Sequence, residues 1–414
     1  MLLIYRLIFL FILILSSPFL LLKALWGRHG IKERLGFIPI RSSAKRLFWF
    51  HAASVGELKA LATALPEIRK RAPDVDFAIS TTTATGNRQA QKLFGDDCLI
   101  FLQPLELRSA IGRAIKRISP SKLIVVETEL WPLMLNMAHA KGIGLYLINA
   151  RLSERSFRFY KIFRPIISVT LGKFSAVLAR SETDSSRYKE LGAQNATVIG
   201  NIKYDQALNV RVERPELNLP KDNLIFVAGS IRRGEDEIFA ELISRCCREN
   251  MSISFILVPR HMKDVSPLLD KLKSRNIVFR LWTNIGKNSH AESLPSGDVL
   301  VIDTMGELLN FYSLADIAFV GGSLVPIGGH DPLEPASLSK PVLFGPYMNN
   351  AKECADLLLE SGGALRVESV EDFIEILRRA LTDKIEFAEM GKSGHQAILK
   401  KAGVSSKIAE ILVR

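Results

Sequence analysis

Glu57 is the first residue of this chain whose surroundings suit acid–base chemistry. It closes the stretch FWFHAASVGE at 48–57, in which an apolar run gives way to a histidine, small residues and the acid. The two alanines and Gly56 leave room for a bulky substrate, and a carboxylate at a binding site can take a proton from an attacking hydroxyl. Ser54 and Glu57 also fit the S-x-x-E capping box of a helix start. The residue types leave both roles open, a general base and a helix cap.

A second pair of acids occurs in ETELWP at 127–132. Glu127 and Glu129 are carboxylates that compete with Glu57 for the role of base. The Trp-Pro pair that follows could instead begin a packed helix, with Glu129 merely near its cap. Three acids are therefore candidates for the same chemistry.

Cations and glycines in the second half of the chain suit a phosphorylated ligand. Cationic side chains follow two of the apolar runs and could neutralise a leaving phosphate. They are Arg232, Arg233, Arg260 and His261. A cluster of glycines would let a ligand approach the backbone closely. Its members are Gly321, Gly322, Gly328 and Gly329.

Two further pairs resemble helix starts. Thr304 precedes Glu307 by three residues, and Asp331 precedes Glu334 in the same way, with a proline between. Capping alone explains both pairs. A helix N-terminus at a binding site also presents free N–H groups to a phosphate, so a ligand-binding role stays open as well.

Apolar runs of strand length position these residues. Such continuous runs, separated by stretches of helix length, are typical of parallel sheets covered on both faces. They are 46–50, 75–80, 122–126, 144–149 and 196–200, then 224–229, 253–258, 299–303, 317–321 and 341–345. Ligands of open parallel sheets bind outside the carboxyl ends of the strands, where the acids, cations and glycines stand. We predict an α/β protein with two Rossmann-like domains facing a cleft, 35–205 and 224–414, joined by a polar linker at 206–223.

The composition fits two domains and an anionic partner. The chain has 414 residues, 48% of them hydrophobic, which is enough for more than one core. Lys and Arg outnumber Asp and Glu by 12. This excess favours nucleic acid, an acidic membrane or a phosphorylated substrate as the partner.

The N-terminal segment predicts a membrane anchor at 1–24. An uncharged run, LIFLFILILSSPFLLL at 7–22, reaches the roughly 20 residues that span a bilayer when residues 1–5 are included. The region after it is basic, so the positive-inside rule puts the body on the cytoplasmic side, against anionic headgroups. A signal peptide would need a small-residue cleavage site, and a buried helix would usually have a polar face.

Metal and nucleotide-cofactor signatures do not occur in this sequence. The only D-x-D, Asp74 to Asp76, falls at the start of a predicted strand, which is the wrong end for a ligand. Neither a Walker A loop nor G-x-G-x-x-G after the first strand is found, and the four cysteines form no C-x-x-C. We therefore predict no metal site and no cofactor.

Several long motifs resemble one family. HAASVGE, ETELWP, NARLS, VPRH, DTMGEL and GGSLVPIGGHDPLEPA, in this order, are similar to the 3-deoxy-D-manno-octulosonic acid (Kdo) transferases of Gram-negative bacteria. The resemblance implies an inverting, metal-independent glycosyltransferase of GT-B type. It implies transfer of Kdo from CMP-Kdo to a lipid A precursor, lipid IVA, at the cytoplasmic face of the inner membrane.

The resemblance also assigns site residues. It makes Glu57 the catalytic base and puts Glu129 in the active site. The residues that it places in substrate or nucleotide binding are Ser54, Gly56, Arg260, His261, Met305, Gly306, Glu307, Gly329, His330, Asp331 and Glu334. Asp331 departs from the family pattern GGHNPLEP, so its charge near a phosphate would need compensation, for which Arg232 or Arg233 is available.

Two alternatives remain at this point. Another GT-B enzyme with a different nucleotide sugar, including an epimerase, would share the architecture. A membrane-anchored nucleic-acid-binding protein would share the basicity. The stretch 150–165 combines basic residues at helical spacing with aromatic residues, which suits a headgroup interface but also a nucleic-acid groove.

Overall fold

The computed structural model of the chain describes residues 30–40, 43–95, 97–285 and 298–414. The predicted anchor at 1–24 lies outside these described residues and stays a prediction. Within the described ranges, no helix combines the length and the apolar character that crossing a bilayer requires.

The chain folds into two compact units. One comprises the residues up to Gln206 together with Lys401–Arg414, and the other comprises Ala207–Lys400. Each unit is built on its own seven-stranded sheet, in which every pairing between neighbouring strands is parallel.

The first sheet has the strand order β3-β2-β1-β4-β5-β6-β7. Its strands are β1 (Arg46–His51), β2 (Val75–Thr81), β3 (Cys98–Leu102), β4 (Lys122–Val126), β5 (Gly144–Ala150), β6 (Ala176–Ala179) and β7 (Ala196–Val198). The helices of this unit are Ile31–Arg34, Val55–Arg71, Ala84–Phe94, Arg108–Ile118, Pro132–Ala140, Glu154–Ile162, Arg164–Leu171, Glu182–Glu190, Lys203–Leu208 and Val404–Val413. The strand order reverses between β1 and β4, so the binding crevice of such a sheet is expected there.

The second sheet has the order β10-β11-β9-β8-β12-β13-β14, which reverses between β8 and β12. Its strands are β8 (Leu224–Ile231), β9 (Ile253–Pro259), β10 (Phe279–Leu281), β11 (Val299–Val301), β12 (Ile317–Val320), β13 (Val342–Phe344) and β14 (Ala364–Arg366). The α-helices are Glu235–Arg248, Val265–Ser274, Trp282–Ile285, Leu308–Tyr312, Leu333–Ser337, Lys352–Glu360, Val370–Thr382 and Lys384–Lys401, with short 3₁₀ helices at Met262–Asp264 and Asn349–Ala351.

Burial on both faces of the sheets explains the continuous apolar runs. Leu47 and Trp49 of β1 belong to one core cluster. Phe48 and Phe50 belong to another. Because successive side chains of a strand point to opposite faces, a sheet covered on both sides needs apolar residues at every position. The predicted α/β class with two parallel sheets is confirmed.

Four strands of the described structure were not predicted from the sequence: β3, β6, β10 and β14. Three of them are edge strands, which have only one neighbour and are partly exposed. The fourth, β6, has only four residues, two of them alanine. The strands β6, β10 and β14 have only three or four residues, which give too weak a pattern, whereas β3 is an apolar run of five residues that the sequence analysis did not include.

The C-terminal helix Val404–Val413 packs in the first unit, whereas the sequence analysis assigned all of 224–414 to the second domain. Val404, Ile408 and Leu412 join the core cluster that contains the helix Val55–Arg71. The Asp205 carboxylate accepts the N–H groups of the first turn. The apolar stripe of a helix shows that it is buried but not against which unit it packs, so the sequence pattern could not assign it.

Candidate active site

Glu57 lies at the carboxyl end of β1, beside the point where the first sheet reverses its strand order. The helix Val55–Arg71 begins here, with Ser54 as its N-cap. Ser54 Oγ accepts the Glu57 N–H at 3.3 Å and donates to Glu57 Oε1 at 2.9 Å. The other carboxylate oxygen accepts the Ala53 N–H at 2.6 Å. The side chain therefore does take part in capping, and the same contacts fix the orientation of its carboxylate.

Glu57 is buried, with 6% of the residue exposed. Burial raises its pKa to about 7; the hydrogen bonds from Ala53 and Ser54 oppose the rise, and the nearby charges of Glu127 and Glu129 add to it. A carboxyl group of this pKa can both release and take up a proton near neutrality. Capping and acid–base chemistry are thus compatible in this one residue.

The acid turn at 127–129 follows β4, the neighbour of β1. Glu127 has a φ of +64°, a left-handed conformation that is rare for a residue with a side chain and that clusters at functional sites. Its N–H donates to the Ile148 carbonyl at 2.9 Å, and its carbonyl accepts the Tyr188 hydroxyl at 3.3 Å. The Asn149 amide lies 3.4 Å from Glu127 Oε1. These contacts hold the turn from two other elements, and the sequence analysis named neither Asn149 nor Tyr188.

Glu129 is half-buried in the same turn. Burial raises its pKa, and the neighbouring Trp131 side chain partly opposes the rise. Trp131 is the N-cap of the helix Pro132–Ala140, so the Trp-Pro pair does begin a packed helix. The carboxylate that accepts the first N–H groups of this helix belongs to Glu106, at 2.8 and 2.9 Å. Glu129 therefore has no capping contact with this helix and remains available for chemistry.

His51 ends β1 and is completely buried. Its Nδ1 lies 2.9 Å from Ser80 Oγ, which also accepts the Trp49 indole N–H at 2.8 Å. Burial lowers the pKa of His51 to about 4, so the ring is neutral at pH 7. His51 belongs to the motif HAASVGE, but its residue type alone assigned it no role. Its partner Ser80 lies near the end of β2, so no local sequence motif could indicate this contact.

Glu235 is the main residue of the second unit that sequence reasoning missed. It begins the helix Glu235–Arg248 after β8 and has no exposed surface. Its carboxylate accepts four backbone N–H groups at 2.8–3.0 Å, those of Arg232, Gly322, Ser323 and Leu324. Burial raises its pKa, while these four donors oppose the rise. Glu235 thus joins the turn after β8 to the turn after β12, across the reversal of the second sheet.

A cationic cluster lies at the same edge of the second sheet. Arg232 Nη1 is 3.0 Å from His261 Nε2, and the Arg260 N–H donates to the Ile231 carbonyl at 3.0 Å. Burial lowers the pKa of His330 to about 4, and the positive charges of Arg260 and Arg232 contribute. The structure therefore brings together four residues that the sequence analysis named: Arg232, Arg260, His261 and His330. The positive charge of the two arginines suits an anionic ligand.

The residues of the glycine cluster form backbone hydrogen bonds with each other and with His330. The Gly329 N–H donates to the Gly322 carbonyl at 2.7 Å, and the His330 N–H donates to the Gly321 carbonyl at 3.1 Å. A Cβ on Gly321 would lie only 2.5 Å from the Ser230 carbonyl oxygen, so this position requires glycine. The close approach of the β8 and β12 turns explains part of the glycine content that the sequence analysis attributed to a ligand.

The two predicted capping pairs differ from expectation in detail. Asp331 Oδ1 accepts the Leu333 N–H at 3.1 Å, although the N-cap of the helix Leu333–Ser337 is Pro332. Glu334 lies in the first turn of this helix.

Thr304 is not an N-cap. Its hydroxyl donates to Glu307, and the helix Leu308–Tyr312 begins only after Glu307. Met305 is exposed in this turn, and Gly306 has a φ of +92° with open space around it. The turn follows β11 and stands apart from the β8–β12 reversal in the sheet order.

No group of three or more His, Cys, Asp or Glu side chains in the described ranges is arranged to hold a metal ion. At the edge of the second sheet where β8 and β12 end, the positive charge comes from arginine side chains and from the N–H groups of helix starts.

Known proteins resemble the chain in sequence and in fold. The family model described as 3-deoxy-D-manno-octulosonic-acid transferase (kdotransferase) matches residues 29–206. The 3-deoxy-D-manno-octulosonic acid transferase of Haemophilus influenzae is 32% identical over 394 residues, which cover 93% of this chain and 91% of that protein.

Among solved structures, the UDP-GlcNAc 2-epimerase of Neisseria meningitidis bound to UDP-GlcNAc has a TM-score of 0.57 at 15% identity, covering 89% of this chain and 99% of that one. MurG of Acinetobacter baumannii has a TM-score of 0.53 at 12% identity, with the same coverage. These two likenesses concern the fold alone, and they support the predicted GT-B-like class. The sequence match over nearly the whole chain confirms the family resemblance: the chain belongs to the 3-deoxy-D-manno-octulosonic acid (Kdo) transferase family and is a glycosyltransferase.

Proposed function

We propose that this protein is an inverting transferase that moves Kdo from CMP-Kdo to a lipid A precursor, lipid IVA, in lipopolysaccharide biosynthesis. Glu57 is the general base: it takes the proton of an acceptor hydroxyl as that oxygen attacks the anomeric carbon of Kdo. The bond from this carbon to the phosphate oxygen breaks, and CMP leaves as a phosphate monoester. Family membership supports the reaction class.

The environment of Glu57 is the observation that carries this assignment. Its carboxylate is buried, oriented by Ala53 and Ser54, and has a pKa of about 7. A general base works best when its pKa is close to the pH of the medium. We assign Glu129, in the turn after the neighbouring strand, to positioning the acceptor.

The donor phosphate is assigned to the cationic cluster of the second unit. Arg232 and Arg260 provide charge-assisted hydrogen bonds to the leaving phosphate. His261, Gly329 and His330 complete this site. We also assign to nucleotide binding the remaining residues of the second unit that the resemblance named, Met305, Gly306, Glu307, Asp331 and Glu334, and we assign Ser54 and Gly56 of the first unit to the substrate beside Glu57.

The deciding experiment is CMP release from CMP-Kdo by the purified full-length protein, with and without lipid A precursor, while mass spectrometry follows the glycolipid. Acceptor-dependent release with a matching gain of Kdo mass would support the proposal. Turnover of a different nucleotide sugar, with CMP-Kdo unused, would support another GT-B enzyme. Salt-dependent binding of oligonucleotides without CMP release would favour the nucleic-acid-binding alternative.

We further propose that residues 1–24 anchor the protein in the inner membrane, with both units on the cytoplasmic face. The uncharged run at 7–22 and the basic residues after it support this location. Protease access to the units in inverted vesicles, but not in intact spheroplasts, is the expected result.

The pH dependence of the rate should follow the ionisation of Glu57. Since the base must be unprotonated and its pKa is about 7, kcat/KM should rise about tenfold per pH unit well below pH 7 and level off above it. Steady-state rates between pH 5 and 9, with CMP-Kdo stability checked separately, measure this. A rate independent of pH below 7 would contradict the assignment of the base.

Arg232→Gln should raise the KM for CMP-Kdo by about 10- to 100-fold, because a hydrogen bond to a charged group contributes about 1.5–3 kcal/mol. The backbone N–H that Arg232 gives to Glu235 is retained in this variant. Arg248→Gln, an exposed arginine at the end of the helix Glu235–Arg248, is the matched control and should leave KM unchanged. Equal KM values in the two variants would remove Arg232 from the donor site.

A further inference from the structure

A large pocket of about 1000 Å³ opens beside the acid turn of the first unit. Glu127 and Glu129 line one part of it. Most of the remaining wall is apolar and includes Trp131, Phe159, Ile162 and Phe163. This volume is at the upper end of the range for small-molecule sites. The pocket therefore joins the carboxylates of the candidate active site to a large apolar surface.

Some apolar side chains of this wall are strongly exposed. Phe159 is 56% exposed and Ile162 is 74% exposed, and the rings of Phe159 and Phe163 lie 5.0 Å apart. Leaving such side chains in water forgoes burial worth about 25 cal/mol per Å² of apolar surface. Contiguous exposed apolar surface next to a pocket is typical of a binding site.

Positive charge lies near the pocket, and only part of it is neutralised by ion pairs within the described structure. Arg158 and Lys161 of the helix Glu154–Ile162 form ion pairs with Glu154 and Glu190. Arg151 lines the pocket, and Arg155 and Arg164 are next in sequence to the lining residues Ser156 and Pro165. These three arginines are exposed and have no ion-pair partner in the part of the chain that the structure describes. A ligand that matches both features is anionic at one end and apolar at the other.

We propose that this pocket holds an acyl chain of the acceptor glycolipid while the sugar lies at the acid turn. The inference rests on the proposed function, because that function supplies the acceptor. A phosphorylated, acylated sugar has the required chemistry: a hydroxyl for the acids, a chain for the apolar wall and phosphates for these three arginines. The pocket then contributes to the choice of acceptor by its fit to the chain.

Two matched isoleucines test the proposal. Ile162 lies in the pocket and is 74% exposed, whereas Ile385 lies on a helix of the second unit and is 76% exposed. In detergent, full-length Ile162→Gln should raise the KM for acylated lipid A precursor by about tenfold, the equivalent of most of one buried aliphatic side chain. Its KM for the fully deacylated, phosphorylated disaccharide should stay that of the wild type. Ile385→Gln should match the wild type with both acceptors.

A binding measurement separates this inference from the proposed reaction. Dibromostearate, whose bromine atoms quench nearby indoles, should quench the tryptophan fluorescence of the wild type. The part of this quenching that is absent from Trp131→Phe belongs to Trp131, and it should be smaller in Ile162→Gln than in the wild type. If the wild type transfers Kdo to neither acceptor, the proposed function fails and this titration alone decides whether the pocket binds acyl chains. Equal loss with both acceptors, an unchanged KM in Ile162→Gln, or altered affinity only for phospholipid vesicles would overturn the acceptor pocket.

Discussion

Glu57→Gln is expected to lower kcat for Kdo transfer by a factor of about 10²–10⁴, the usual contribution of a general base. Glutamine is close to glutamate in shape, and its amide oxygen can still accept the Ala53 N–H, but it cannot take up the proton of the acceptor. Affinity for CMP should not change, because the residues assigned to the nucleotide are in the other unit. Steady-state rates and calorimetric CMP titrations measure the two quantities.

The control for this variant is Glu67→Gln, further along the same helix Val55–Arg71. It makes the same chemical change at a half-buried position away from the strand end and should keep wild-type kcat. Thermal unfolding of both variants checks that the fold is retained. A folded Glu57→Gln protein with wild-type kcat would leave Glu57 with its capping role alone.

The sequence presented base and cap as competing roles for Glu57, and the structure shows why they coexist. The Glu57 N–H donates to Ser54 Oγ, and this cap hydrogen bond fixes the start of the helix. The two hydrogen bonds received by the carboxylate then fix its direction. A reacting carboxylate needs such orientation. A capping pattern at the carboxyl end of a parallel strand is therefore compatible with catalysis.

The sequence pattern predicted those features that depend on residues close together in the chain, such as strands and the residues at their ends. In the part of the chain that the structure describes, ten of the fourteen strands coincide with predicted apolar runs, and Glu57, Arg260 and His261 could be located because each comes after the end of such a run. Long-range contacts have no such signal. In the sequence, Glu235 is an ordinary acid in the first turn of a helix. In the structure, its carboxylate accepts N–H groups from the distant segment 322–324. The pocket is similarly built from two segments, 127–132 and 151–167, that are adjacent only in space.

Glu235→Ala should give the largest loss of stability among these variants. Four backbone N–H groups would lose their acceptor in a buried place, and each such group costs about 1–3 kcal/mol when no water replaces the partner. With partial relaxation we expect the free energy of unfolding to fall by at least about 3 kcal/mol. For a unit of this size that corresponds to a melting temperature lower by about 6–12 °C. Calorimetric unfolding measures it, with the exposed Glu241→Ala on the same helix as the control.

Glu235→Gln tests whether the turns need the hydrogen-bond acceptors of the Glu235 carboxylate or only the volume of its side chain. The glutamine side chain fills the same space, but its amide nitrogen is a donor and would face N–H groups that need an acceptor. If the carboxylate holds the β8 and β12 turns together, this variant should be destabilised nearly as much as Glu235→Ala, because the unpaired buried donor lowers the free energy of unfolding. It should also bind CMP more weakly, because the turns that carry the donor-site residues lose their common acceptor. If it melts like the wild type, side-chain volume alone positions these turns, and the donor site does not depend on a buried charge.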